Sequence, residues 1–119
     1  MTKEVITTRP HKSIGHVRDV MSKNHIQAIP VVDSEKEVLG IVTANDLLKR
    51  LNDASPVGKI MTEKVITISP YTRISEAARC MRNHHIHHLV ITHQQQVVGV
   101  ISSYDLLRLV EEHHYSVKS

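Results

Sequence analysis

The chain repeats itself. Residues 1–10 read MTKEVITTRP and residues 61–70 read MTEKVITISP, identical at six of ten positions. A period of this length marks one supersecondary unit present twice, which restricts the fold before any residue propensity is considered. The correspondence continues at an offset of 60, pairing Ile14 with Ile74, Met21 with Met81, His25 with His85 and Ile26 with Ile86. It resumes at an offset of 59, where Gly40 matches Gly99, Asp46 matches Asp105 and Leu47-Leu48 match Leu106-Leu107. The lost residue falls in a polar stretch between two apolar runs, where a hairpin loop tolerates a change of length.

Each copy reads as strand, helix, strand, strand, helix. The first strands, 5–7 and 65–68, are ended by Pro10 and Pro70, which cannot donate to a ladder. In the second copy Ile74, Ala77, Ala78 and Met81 recur at helical spacing, with Thr72 or Ser75 as a start signal. The first copy has Ile14, Val17 and Met21 on the same face, with Gly15 a weak point near the helix start. Apolar strands at 29–32 and 38–42, and again at 89–92 and 97–101, flank polar turns. A second helix carries Leu47, Leu48 and Leu51 in the first copy, and Leu106, Leu107 and Val110 in the second.

These readings divide the chain into repeats at 1–51 and 61–119. Residues 52–60, with Pro56 and Gly58, form a linker whose end, with Met61, makes a lead-in turn. One copy alone leaves an apolar sheet face uncovered. The expected fold is therefore one α/β domain, two βαββα repeats packed about a pseudo-twofold axis, with a ligand-sized cleft on each side.

Composition excludes several functions. Aromatic residues are only three Tyr, too few for the stacking platforms that hold single-stranded nucleic acid. The net charge of +3 comes from Lys and Arg scattered among acidic residues rather than gathered in a stripe, so no nucleic-acid partner is expected. No apolar run reaches the ~20 residues of a membrane span. The lone Cys80 excludes an internal disulfide and suits a cytoplasmic chain, where it reads as a small buried hydrophobe on a helix face.

The segments Gly40-Ile41-Val42-Thr43-Ala44-Asn45-Asp46 and Gly99-Val100-Ile101-Ser102-Ser103-Tyr104-Asp105 share one form. A strand ends at a hydroxyl residue, and an aspartate follows one helical turn later. Thr43 and Ser102 then stand at N-cap positions, where hydroxyl and helical N–H groups favour an anion. An aspartate at that spacing is able to accept hydrogen bonds from both hydroxyls of a ribose. The same spacing also describes a capping box, with Asp in place of the usual Glu. No paired base and nucleophile, P-loop or zinc motif is present, so no enzyme activity is expected. Asp46 and Asp105 are expected in different clefts.

The ordered set of VITxxP strands, the hairpin strand Ile29-Pro30-Val31-Val32-Asp33 and the duplicated Gly-apolar-apolar-Thr/Ser-x-x-Asp segments resembles a tandem pair of CBS (cystathionine-β-synthase) domains, the Bateman module. The resemblance runs from Met1 to about Val110. It implies a regulatory module that binds AMP, ADP, ATP, NAD or S-adenosylmethionine in its clefts, and that associates as a homodimer, with an effector protein as a further partner. Carried over, Asp46 and Asp105 would hold ribose, Thr43 and Ser102 would approach phosphates, and Thr7 and Thr67 would flank the adenine. Ile6, Ile66, Pro30 and Leu89, with their strands, would supply aliphatic walls.

The run His84-His85-Ile86-His87-His88-Leu89 is the most conspicuous local feature. On one strand His85 and His87 would face away from His88, so metal ligation is not favoured. In the regulatory subunit of AMP-activated protein kinase, a family member, this strand reads apolar-His-Arg-Leu, and its His and Arg contact phosphates. His87 matches, and His88 replaces the arginine. The first copy has Gln27-Ala28 there, so the two clefts are expected to be unequal. Two other readings compete: a structural dimerisation module with empty clefts, and a His-based metal-binding protein.

Overall fold

The computed structural model describes residues 5–49 and 52–112. Helix α1 (Ile14–Asn24), strands β1 (Ala28–Val32) and β2 (Val38–Thr43) and a 3₁₀ turn (Asp46–Leu48) make up the first copy. A second 3₁₀ turn (Val57–Lys59) leads into β3 (Thr67–Ile68), α2 (Ile74–His84), β4 (His88–His93), β5 (Gln96–Ser102) and α3 (Ser103–Glu112). In each copy the two long strands form an antiparallel hairpin. The first strand of the repeat lies parallel to the hairpin. It is β3 against β4 in the second copy and a single bridge, Thr8 to Val31, in the first. The expected strand at 5–7 is thus one residue out of place and barely paired.

The stripe Ile14, Val17 and Met21 buries α1 against Ile29, Val31 and Val42. Both helices end on a histidine, His25 and His85, in the left-handed conformation at φ 53. That conformation turns the N–H of each back onto the carbonyls of the last helical turn. Their starts differ. Ser13 caps α1 by accepting from the His16 N–H at 3.1 Å. Arg73 caps α2 with no side-chain hydrogen bond. Neither Thr72 nor Ser75 takes that role, because the Thr72 hydroxyl instead accepts from the Ser69 N–H at 3.1 Å, closing the preceding turn.

The linker is not a loose tether. Its Ser55 and Asp53 carbonyls accept from the Ile14 and Gly15 N–H groups, both at 2.9 Å. Donors that a helix start normally leaves open are thereby closed. Gly15, far from weakening the helix, lets this strap come close: a Cβ there would lie 3.3 Å from Asp53 Cβ. Val57 and Ile60, 0% and 1% exposed, complete the first copy's core.

The second helix of the first copy shrinks to the 3₁₀ turn. Lys49 is already extended, and the sequence ahead turns to Asn52, Asp53, Ser55 and Pro56 rather than the helix formers that continue α3. Leu51 lies outside the described residues. Of the expected apolar faces, Leu106 is buried, whereas Leu48, Leu107 and Val110 are 77%, 67% and 48% exposed. Ile74 and Ala78 of α2 are also exposed. Partly buried Cys80 packs beside the second copy's core.

A core shared by the two copies joins them. Ala28, Val32 and Ile41 from the first hairpin pack with Val90 and Val97 from the second. At the hairpin tips the Val97 N–H donates to the Lys36 carbonyl at 2.9 Å. Two repeats therefore fold as one α/β body about a pseudo-twofold axis. Among the described residues no helix is long and apolar enough to cross a membrane.

Candidate functional site

Strands β2 and β5 each end on a hydroxyl residue that a following aspartate locks in place. Asp46 Oδ2 accepts from the Thr43 N–H at 2.9 Å and the Thr43 hydroxyl at 3.1 Å, and the Asp46 N–H points back at Thr43 Oγ1, 3.4 Å away. The Ser102–Asp105 pair repeats the pattern more tightly, at 2.8, 2.9 and 3.1 Å. Both are reciprocal capping boxes. That arrangement does not consume the site's chemistry, because only Oδ2 takes part. Each Oδ1 has a loose cation one turn along, Lys49 or Arg108, at 3.8 Å. At that length such pairs are worth little, so neither outer oxygen is held by a strong partner, although Asp46 is buried and Asp105 only partly so.

Both boxes open on one groove of about 1000 Å³. Asp46 and Asp105, expected in separate clefts, line this continuous space together. The groove lies across the seam between the copies, and matching segments of each copy contribute to it: residues 25–28 with 85–88, and 43–46 with 102–105. Ile26, Ala28, Ile41, Ile66, Ile86 and Val100 form its apolar wall. That wall suits a flat, weakly polar ring held without aromatic stacking.

Of the residues singled out from sequence, Thr43, Asp46, Ser102, Asp105, Ile66, His87 and His88 line the groove. Five do not. Pro30 and Leu89 are sealed in the core, because β1 and β4 are packed on both faces and their middles never reach the surface. The walls come instead from the turns just before those strands. Ile6 packs against the first copy's core. Thr67 is exposed and pairs with Val90 in the ladder, and Thr7 is partly buried outside the groove.

The groove also takes in residues to which the sequence reading gave no part in nucleotide binding, among them His25, His85, Lys64, Tyr104 and Arg108. The exact correspondence of His25-Ile26 with His85-Ile86 was the available signal. The alternation expected for the histidine run also fails. The strand begins only at His88, and the left-handed turn at His85 brings His85, His87 and His88 all to the groove. His87 Nδ1 lies 3.4 Å from the Ser103 hydroxyl, at the start of α3. Burial, then the neighbouring His87 charge, holds His88 below the usual histidine pKa, with Asp105 opposing. Among the described residues no three His, Cys, Asp or Glu side chains stand together in a way that could hold a metal ion.

A family model described as "CBS domain" matches residues 1–53 and again 57–112. The chain belongs to the CBS domain family. The crystal structure of the CBS domain pair of protein MJ0100, in complex with 5′-methylthioadenosine and S-adenosyl-L-methionine, superposes with a TM-score of 0.87. The two are 28% identical, over 95% of this chain and 93% of that one. The CBS domain protein PAE2072 from Pyrobaculum aerophilum, complexed with AMP, shares the fold at a TM-score of 0.80 and 23% identity, over 93% of this chain and 95% of that one. A homoserine O-acetyltransferase of Methanohalobium evestigatum is 33% identical over 94% of this chain. The chain spans only 23% of that enzyme's length, so it corresponds to a module within a larger protein there.

Proposed function

We propose that the chain is a regulatory module, not an enzyme, which takes an adenosine-type nucleotide into the groove between its repeats. The observation that carries this reading is the pair of hydroxyl–aspartate boxes facing one groove. Each presents an unused carboxylate oxygen beside an aliphatic wall. A ribose diol satisfies that oxygen, and the adenine lies against the apolar wall. Phosphates then run toward His87, His88, Lys64 and Arg108. The adenosine ligands bound by the MJ0100 pair support the ligand class, and AMP, ADP and ATP are the nucleotides favoured here over NAD and S-adenosylmethionine. Repeats 1–51 and 61–119 contribute one box each, and the second copy is the stronger phosphate side.

The exposed Leu48, Leu107 and Val110 support assembly as a homodimer through the ends of the two repeats, since side chains of this size gain from being covered. Occupancy of the groove, which spans both copies, then acts on how they pack, provided the ligand favours one arrangement over another.

A thermal-shift panel of AMP, ADP, ATP, NAD and S-adenosylmethionine tests the function. A ligand at a hundred times its dissociation constant adds about 2.7 kcal/mol, a shift of many degrees for a chain of this length. No response to any of the five ligands sinks the reading.

A further inference from the structure

Among the described residues four histidines line the groove. His25 and His85 are placed there symmetrically, as the left-handed residues that end α1 and α2. His87 and His88 have no counterpart in the first copy, which carries Gln27 and Ala28, so duplication does not explain them.

The fixed charges of the groove cancel. Lys64 on the segment ahead of β3 and Arg108 on α3 are cations, while Asp46 after β2 and Asp105 on α3 are anions. Lys49 stands behind Asp46 at 3.8 Å, and Tyr104 on α3 adds a phenol. A phosphate-bearing ligand thus enters a groove whose permanent lining charge, among the described residues, is balanced. Of the side chains there, only the histidines ordinarily change charge between pH 6 and 8.

We infer that the groove takes up its anionic ligand together with a proton: His88 is neutral in the free protein and becomes imidazolium against the bound phosphate. This rests on the nucleotide reading above and adds pH as a second input to the same site. The geometry favours His88. It is partly buried, so its charge is costly until a counter-ion is present. His87 beside it adds repulsion, which Asp105 offsets only in part. A phosphate supplies the missing negative charge and reverses the balance. Arginine in that position would be charged at every pH and would carry no such response.

Imidazole C–H resonances of the full chain, titrated from pH 8 to 5.5 with and without ADP, test this directly. His88 is expected to titrate below the usual histidine range alone and above neutrality with ADP. The affinity for ADP rises as pH falls, by up to about tenfold per pH unit for each proton taken up, and more steeply than the affinity for adenosine. His88→Asn flattens that slope. Bound ADP with the His88 titration unmoved overturns the inference, as does an unchanged slope in His88→Asn. Inorganic pyrophosphate is the third probe. If it shifts His88 while no nucleotide binds, the proton coupling stands and the nucleotide reading falls. If neither ADP nor pyrophosphate binds or moves His88, both fall.

Discussion

Replacing Gly40 by alanine probes how the lead segment of the second copy is held. The glycine is not needed for an unusual backbone angle, since no glycine among the described residues has positive φ. It is needed for space. A Cβ at Gly40 would lie 2.8 Å from the Thr62 carbonyl oxygen and 2.8 Å from Met61 Sδ. The sulfur sits on a flexible side chain and is able to move aside, but the carbonyl belongs to a backbone bridge. Ile41 N–H donates to that oxygen at 2.9 Å, and Thr62 N–H donates to the Ile41 carbonyl at 2.9 Å. Overpacking of this kind costs about 1–3 kcal/mol, and weakening the one bond made to the crowded Thr62 oxygen adds about 1 kcal/mol. The sum is roughly 2–4 kcal/mol, against a total stability of about 5–15 kcal/mol. At about 4 °C per kcal/mol for a chain of this size, the melting temperature falls by roughly 10 °C. Thr62 also lines the groove, as do Lys64 and Ile66 just beyond it, so ligand affinity should fall as well. Gly15→Ala is the control. Its Cβ would meet Asp53 Cβ at 3.3 Å, and the gain in helix propensity of about 1 kcal/mol offsets the squeeze. Urea unfolding of both variants measures the contrast. Gly40→Ala within about 0.5 kcal/mol of the parent would refute the close-approach argument.

Ser13→Ala, which removes the α1 cap, should cost about 1 kcal/mol, measured by the same unfolding series. Asp105→Asn removes the open charged acceptor, so ADP binding by calorimetry should weaken by at least about tenfold, the loss of one charge-assisted hydrogen bond. Leu107→Glu replaces a side chain that is 67% exposed. It should leave the melting temperature within a few degrees, yet turn a dimer into a monomer by analytical ultracentrifugation; an unaffected dimer counts against that surface. For pH, the pKa of His88 is lowered by folding, so the unfolded chain binds the proton more readily. Its stabilising effect is complete above the unfolded value of about 6.5 and drains away as pH falls from there through the folded value. Stability measured between pH 8 and 5 should decline on the acid side, and His88→Gln should reduce that decline.

The duplication made the fold legible, because helix stripes, hairpins and paired aspartates recur at fixed offsets. What escaped was anything that depends on tertiary contact. Pro30 and Leu89 are carried over as wall residues from the family resemblance, which names the strands but not which of their residues reach the cleft. Only the packing of β1 and β4 on both faces reveals that their centres are sealed. His85 and His87 read as strand residues, whereas one left-handed turn re-aims the whole run. Gly15 read as a defect because the partner that needs the space, Asp53, stands 38 positions away. The second helix of the first copy was overestimated, since the leucine spacing that suggested it cannot register the polar residues that stop it.

The strap formed by the linker bears on how the chain comes off the ribosome. Val57 and Ile60 fill the first copy's core, and Thr62 pairs alongside its second strand through an antiparallel bridge to Ile41. The sequence repeat begins anew at Met61, but the first core is not closed until Thr62 has emerged. The boundary that duplication wrote into the sequence therefore falls inside a unit of folding. A nascent chain halted at residue 51 should leave the α1 side of the first core unfilled, and one halted after Thr62 has emerged should have closed it, leaving open only the hairpin face that Val90 and Val97 later cover.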